Sequence, residues 1–66
     1  SETQSIRQLV SKAREWGWRM ILENHDAWVC SFERRPAGQW NVVKEGRDET
    51  ASAAICAAFL QLPKPA

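Results

Sequence analysis

The residues that could carry out catalytic or metal chemistry are few and scattered along this sequence. The one histidine, His25, stands between Asn and Asp in a stretch typical of a turn, and neither Cys30 nor Cys56 has a base close by in the chain. These three side chains do not have the spacing of a metal site. The three glycines are isolated, so there is no phosphate-binding loop. The sequence therefore predicts no enzymatic activity, no cofactor and no metal.

The two cysteines lie within apolar stretches, where a free thiol behaves as a small hydrophobic side chain. Two cysteines are too few for a disulfide scaffold. The two alternatives are a disulfide bridge between Cys30 and Cys56 and two free thiols. A reducing cytoplasm favours the free thiols. No apolar run approaches the ~18 residues of a membrane span, and no signal peptide is visible. We therefore expect a soluble, cytoplasmic protein.

Length and charge limit the class of protein further. Sixty-six residues predict a single domain, 1–66, near the lower size limit for folding without a disulfide or a metal. Four tryptophans and two phenylalanines can fill its core, although any tryptophan can instead mark a binding hot spot. Nine Lys and Arg against eight Asp and Glu leave a formal charge of +1, without a basic run or an acidic tail. This balance does not indicate nucleic acid or a membrane surface as the partner.

Apolar spacing predicts a first helix over residues 4–16. Ser1 with Gln4 fits a capping box at its start, and Gly17 is placed to end it. One stripe at helical spacing should face the core: Ile6, Leu9, Val10 and Ala13.

Beyond this helix the apolar period changes to two, which predicts three strands of an antiparallel meander. Their expected ranges are 18–22, 27–34 and 39–45. Pro36 and Gly38 between the last two strands suit a type I turn followed by a glycine bulge. This turn predicts the cross-strand pairs Arg35 with Gln39, Phe32 with Val42, and Arg34 with Trp40. The large even-numbered residues then share one face of the sheet: Trp28, Cys30, Phe32, Trp40 and Val42.

A second helix is predicted after Gly46, which we expect to end the third strand. Asp48 or Thr50 can cap this helix, and it should run to about Leu62, before two prolines. Its buried stripe should contain Ala51, Ala54, Ile55, Ala58, Phe59 and Leu62. The predicted fold class is α+β, a two-layer αβββα sandwich with both helices on one face of the sheet.

The back of the second predicted helix is a candidate surface for self-association. Residues 51–60 contain no charge, whereas a surface helix ordinarily carries charge on its outer face. Alanine is also the best helix former, so helix propensity alone is the other explanation. The residues that would pack a homodimer or a partner helix are Ala53, Cys56, Ala57 and Leu60.

Two further surfaces are candidates for binding a partner. Trp40 with Arg34 should form a cation–π pair near the exposed tip of the hairpin. On the outer face of the sheet, three aliphatic side chains are expected among charged neighbours, as in the core and rim of an interface: Ile21, Val29 and Val43. The β-propensity of these residues explains the same pattern without a partner.

The order of elements resembles that of double-stranded-RNA-binding domains. His25 follows the first predicted strand, and Gly46-Arg47 precedes an alanine-rich helix, as in that family. The resemblance implies duplex RNA as a partner, gripped by a lysine cluster at the start of the second helix. This sequence has Asp48-Glu49 there, and these carboxylates would repel phosphates. A nucleic-acid-binding module is therefore the alternative prediction.

Residues 40–60 resemble the ending of small phage-encoded proteins of the ABA-sandwich type. The shared features are a strand with Trp40, a short glycine-containing link and the helix Thr50-Ala-Ser-Ala-Ala-Ile-Cys-Ala-Ala-Phe-Leu60. The sequence departs at Ala57, where a basic residue usually follows the cysteine. The resemblance implies a non-enzymatic phage or prophage accessory protein in the cytoplasm of a host bacterium. Such a protein would bind and inhibit or redirect a host protein, for example as an anti-CRISPR inhibitor.

Overall fold

The chain forms two helices and three strands in the computed structural model, which describes the backbone of residues 2–65 and the side chains of residues 4–65. The predicted capping box at Ser1 lies outside the described residues. The elements in chain order are α1 (Glu2–Glu15), β1 (Arg19–Asn24), β2 (Trp28–Arg34), β3 (Val42–Asp48) and α2 (Ala51–Phe59). This order confirms the predicted αβββα class.

The first helix, α1, begins two residues before and ends one residue before the predicted range of 4–16, and Gly17 follows it in the predicted role. Gly17 has a φ of +87°, and its N–H donates to the carbonyl of Arg14 at 2.9 Å. The N–H of Trp18 donates to the carbonyl of Ala13, also at 2.9 Å. These two bonds form a Schellman motif, which a glycine in the left-handed region allows. Three of the four residues of the predicted stripe face the core, with Ala13 fully buried and Ile6 and Val10 packed against its neighbours, whereas Leu9 is half-buried outside this cluster.

The three strands form one antiparallel sheet in the order β1-β2-β3. Cys30 and Phe32 of β2 are completely buried, and Met20 of β1 and Val42 of β3 pack against the same cluster. The prediction that the large even-numbered residues face the helices is therefore confirmed for Trp28, Cys30, Phe32 and Val42. It is wrong for Trp40, which is 91% exposed because β3 begins only at Val42. The strand ranges differ, since β1 continues to Asn24 and β3 begins three residues later than predicted.

The predicted register of the β2–β3 hairpin is wrong by two residues. Phe32 pairs with Lys44 instead of Val42, and Arg34 pairs with Val42 instead of Trp40. The Pro36–Gly38 turn does form, because Gly38 has a φ of +72° and the N–H of Gln39 donates to the Pro36 carbonyl at 3.0 Å. This turn lies inside a longer loop, residues 35–41, and does not close the ladder.

Gly46 also lies where the sequence did not predict it. It lies within β3, opposite Cys30, and does not end the strand as predicted. A Cβ atom at this position would lie 2.5 Å from the carbonyl oxygen of Ala54 and would also overlap the backbone of Ala58. Helix α2 therefore approaches the sheet closely at Gly46, and this position of β3 requires glycine.

The second helix, α2, is capped by Thr50, whose Oγ1 accepts from the N–H of Ala53 at 3.2 Å. Helix α2 ends at Phe59, three residues before the predicted end. Leu62 is nevertheless buried, because a turn continues the chain and the N–H of Leu62 donates to the Phe59 carbonyl at 3.0 Å.

Both helices contribute to one core on one face of the sheet. Ile55 and Ala58 of α2 lie in the same buried cluster as Ala13 at the end of α1. The rings of Trp16 and Phe59 stack between the two helices, with centroids 5.5 Å apart. The shortest extent of the Cα trace is 14 Å, which fits a sheet covered by a single layer of helices.

Candidate functional site

Trp40 is the most exposed large apolar side chain among the described residues. It is 91% exposed, at the end of the loop that joins β2 to β3. We call this loop, residues 35–41, the hairpin tip. The tip is held by the Pro36–Gln39 turn and by Asn41, whose Nδ2 donates to Glu33 Oε2 at 3.4 Å. The indole ring is therefore presented to solvent by a loop with internal hydrogen bonds.

A shallow hollow of about 370 Å³ lies beside the indole ring. Its lining consists of Arg35, Gly38, Gln39 and Trp40, all within the hairpin tip. Arg35 is the only charged residue among residues 35–41. Residues 35–41 thus contain one cation, one large aromatic ring and no carboxylate, and the Glu33 carboxylate of β2 contacts the tip at Asn41.

Arg34 does not pair with Trp40, so the predicted cation–π contact is wrong. The guanidinium carbon of Arg34 lies 5.0 Å from the ring centroid of Trp18, and its Nη1 donates to the Trp16 carbonyl at 3.2 Å. The shifted register removes Trp40 from the position opposite Arg34. Arg34 instead ties the end of β2 to the connection between α1 and β1.

The predicted patch on the outer face of the sheet is only partly exposed. Ile21 is half-buried, Val29 is 8% exposed, and Val43 is 51% exposed. All three side chains lie on the face away from the helices, but in different cross-strand rows, opposite Ser31, Glu23 and Glu33 respectively. The patch stays a prediction, and Val43 is its most accessible member.

The back of α2 is partly covered. Ala53, Cys56 and Ala57 are half-buried, whereas Leu60 just beyond the helix is 83% exposed. Gln61 folds back here, and its Nε2 donates to the Ala57 carbonyl at 3.4 Å. Self-association through this surface stays a prediction, and Leu60 is the side chain most open to a partner.

The residues considered for catalysis or metal binding lie in different environments. His25 is exposed, with its Nε2 3.1 Å from Glu23 Oε2. Cys30 is fully buried, and desolvation raises the pKa of its thiol to about 11, so it remains protonated at neutral pH. Cys30 and Cys56 are both free thiols. No group of three or more metal-ligating side chains occurs among the residues that the structure describes.

A cleft between α1 and β1 is a feature that sequence reasoning missed. Its volume is about 330 Å³, and its lining consists of Val10, Arg14, Trp18, Arg19, Met20 and Phe32. The indole N–H of Trp18 is buried and has no acceptor among the described residues. The alternation of apolar and polar side chains at Trp18, Arg19 and Met20 is visible in the sequence. The space between α1 and β1 that forms the cleft depends on how these elements pack, which the sequence pattern does not show.

The start of α2 is acidic, as the sequence indicates. Asp48 ends β3, and its Oδ1 accepts from the N–H of Glu49 at 2.7 Å. Both carboxylate side chains are exposed just before Thr50. They would repel a phosphate at this helix terminus.

The longer helix, α1, has 14 residues, and within residues 2–65 neither helix is long and apolar enough to cross a bilayer.

Comparisons with protein-family models, with curated proteins and with solved structures found no significant match to this chain.

Proposed function

We propose that this chain is a non-enzymatic binding protein that engages a partner protein through the hairpin tip, with Trp40 as its anchor. The exposure of Trp40 carries the proposal. Trp18 is buried, and Trp16 and Trp28 pack against the core, so the fold has sheltered positions for indole rings. A tryptophan left in water on a hydrogen-bonded loop is typical of an interface hot spot.

The energetic gain from covering such a ring is large enough to dominate a small interface. Burying about 150–250 Å² of aromatic surface at roughly 25 cal/mol per Å² supplies about 4–6 kcal/mol before the costs of association. The pre-formed turn at Pro36 and Gly38 reduces the ordering cost. Trp40 therefore satisfies the requirements of a central anchor.

The charge of the tip favours a particular kind of partner surface. Arg35 stands beside the indole ring without a carboxylate in residues 35–41. We therefore expect an apolar pocket with acidic groups at its rim on the partner protein. The resemblance of residues 40–60 to phage-encoded proteins suggests that this partner is a host protein that the chain inhibits or redirects.

A capture experiment with matched baits tests the proposal. Wild-type chain, Trp40→Ala and Leu60→Ala are each used to capture proteins from a bacterial lysate before and after nuclease treatment. We expect a protein that is retained by the wild type and by Leu60→Ala, lost with Trp40→Ala, and insensitive to nuclease. Leu60 is a suitable control because it is also highly exposed but lies outside the tip.

Equal capture by Trp40→Ala and the wild type would exclude the tip as the binding site. If Leu60→Ala alone loses the partner, the surface at the end of α2 is the interface instead. Circular dichroism of each bait separates loss of binding from loss of folding.

The alternative is a nucleic-acid-binding module. An exposed indole ring beside an arginine can stack on an unpaired base while the cation contacts a phosphate. In that case capture depends on Trp40 but is abolished by nuclease, and affinity falls steeply with salt concentration. The exposed carboxylates of Asp48 and Glu49 disfavour duplex RNA at the start of α2.

A further inference from the structure

The two edges of the sheet differ in how well they are protected. The edge strand β3 carries four charged residues, namely Lys44, Glu45, Arg47 and Asp48. In addition, the Nε2 of Gln61 donates to the backbone carbonyl of Glu45. Charged side chains and covered backbone groups are the devices by which proteins prevent strand addition at an edge.

The opposite edge, β1, lacks these devices at its centre. Its second, third and fourth residues, Met20, Ile21 and Leu22, are apolar, and the strand contains neither proline nor glycine. In the described sheet, β1 pairs with β2 alone, so one side of its backbone is open to a further strand. Leu22 is 36% exposed on the face that carries the helices. This edge is therefore a template for strand pairing.

We propose that a second copy of this chain pairs with β1 in an antiparallel arrangement, with Ile21 opposite Ile21 of the partner subunit. The two sheets then form one continuous six-stranded sheet around a two-fold axis. In this register Arg19 faces the partner's Glu23, and Glu23 faces the partner's Arg19. The same strand thus supplies both members of each ion pair, which is the self-complementarity that a two-fold interface requires.

The register is specified by charge and by burial together. Met20 faces Leu22 of the partner subunit, so the half-exposed Leu22 side chain gains an apolar neighbour on the helix-bearing face. If the two-fold axis passed through Met20 or through Leu22 instead of Ile21, Arg19 would no longer lie opposite the partner's Glu23, and both ion pairs between the subunits would be lost. Only the arrangement centred on Ile21 pairs the charges and the apolar residues at once.

The side chains involved are free to make these contacts. Arg19 is 79% exposed, and its Nη1 lies 3.8 Å from Glu33 Oε1 on the neighbouring strand, a loose contact. Glu23 is 53% exposed, and its contact with His25 is also at the surface. Losing either contact within one chain has little effect on folding, because solvent-exposed ion pairs contribute little to stability.

Pairing of one short strand buries less than the roughly 1,200–2,000 Å² of a stable interface, so we expect a weak dimer. Its dissociation constant should lie in the range of about 10–100 μM. Sedimentation velocity over about 5 μM to 1 mM total protein therefore covers the transition from monomer to dimer.

Charge exchange across the axis provides the decisive test. Arg19→Glu alone and Glu23→Arg alone each place like charges opposite one another twice per dimer, and we expect each to weaken dimerisation at least about tenfold. An equimolar mixture of the two variants pairs Glu with Arg at both positions. We expect this mixture to form a heterodimer about as strong as the wild-type dimer.

The matched control uses a charge pair outside the edge. Lys12 and Glu15 form an exposed ion pair on α1 at 3.4 Å. Lys12→Glu and Glu15→Lys change the net charge as the edge variants do, and at about 0.15 M salt they should dimerise like the wild type. Circular dichroism verifies that every variant is folded.

Several outcomes would overturn the proposal. A wild-type chain that remains monomeric throughout the concentration range excludes pairing at β1. Edge variants that dimerise like the wild type exclude the β1 interface. Two monomeric edge variants whose mixture also stays monomeric exclude the register in which Arg19 faces the partner's Glu23. A dimer that is lost on Leu60→Glu but not in the edge variants lies at α2 instead.

Discussion

At the scale of single residues, burial decides what the two thiols can do. Cys30 is enclosed at the centre of β2, between the sheet and α2, whereas Cys56 is half-buried on α2. The sequence places both in apolar stretches and does not distinguish them. Enclosure without a charged or hydrogen-bonding partner raises the pKa of Cys30 to about 11, because an ionised thiolate would be desolvated.

This shift predicts a loss of stability at alkaline pH. The pKa of Cys30 is raised from 9.0 to about 11 in the folded state, so the unfolded chain loses this proton at a lower pH than the folded chain does. The contribution of the protonated thiol to folding stability is therefore complete below pH 9 and is lost as the pH rises toward 11. We expect the free energy of unfolding to fall by up to about 2 kcal/mol across this interval. Urea titrations of the wild type and Cys30→Ala at pH 7, 9 and 11 measure the difference. The same slope in both proteins would show that other groups are responsible.

At the scale of elements, the packing of α2 on β3 depends on one position without a side chain. Gly46 is buried under Ala54 and Ala58, and its missing side chain lets α2 approach the backbone of β3 closely. In the β2–β3 ladder Gly46 lies opposite Cys30, and residues 39–41 remain outside the ladder.

Gly46→Ala should consequently destabilise the protein by about 2–4 kcal/mol, because the added methyl group overlaps helix backbone that cannot move aside cheaply. Gly38→Ala is the matched control. Gly38 has a positive φ but open space around it, so the cost should be only about 1–2 kcal/mol. Urea unfolding of both variants provides the comparison. A Gly46→Ala variant as stable as Gly38→Ala would contradict the close approach of α2.

At the scale of the whole molecule, the hairpin tip lies apart from the core, whereas β1 borders it through Met20. The core lies between the sheet and the two helices, whereas Trp40 stands on the hairpin tip and the open strand β1 forms one edge of the sheet. The tip and the edge involve different residues. Partner binding at the tip and self-pairing at β1 can therefore occur in the same molecule.

Because the hairpin tip lies apart from the core, truncation of an aromatic side chain should affect the free energy of unfolding differently at these two places. Trp40→Ala should change the free energy of unfolding by no more than about 0.5 kcal/mol, because its side chain is 91% exposed. Phe32→Ala should cost about 3–5 kcal/mol, because it leaves a cavity in the core. Thermal or urea unfolding measures both. A large loss of stability in Trp40→Ala would mean that the tip is part of the folded core.

Much of the fold can be predicted from local patterns. Most of the stripe of α1, the glycine that follows the helix and the cap of α2 at Thr50 agree with the structure, because each depends on spacing or on hydrogen bonds between neighbours in the chain. The side chains of each strand that face the helices are also predictable, because a register shift of two residues leaves every side chain on the same face of the sheet.

The candidate site is less predictable. The sequence indicates Trp40 and Arg34 as residues of interest near the hairpin tip, but the structure separates them and brings Arg34 to Trp18. The cleft between α1 and β1 has no signature in local spacing. Contacts of this kind join residues far apart in the chain, so no pattern within one element reveals them.

Local patterns in the sequence predict the class of the fold, the order of its elements and most of the residues in its core, because hydrophobic periodicity and capping act over a few residues. The register of β3, the exposure of Trp40 on the hairpin tip and the covering of one sheet edge by Gln61 depend on the tertiary structure. These features involve contacts between residues far apart in the chain, which no local pattern reveals. The close approach of the α2 backbone to Gly46 is a further contact of this kind.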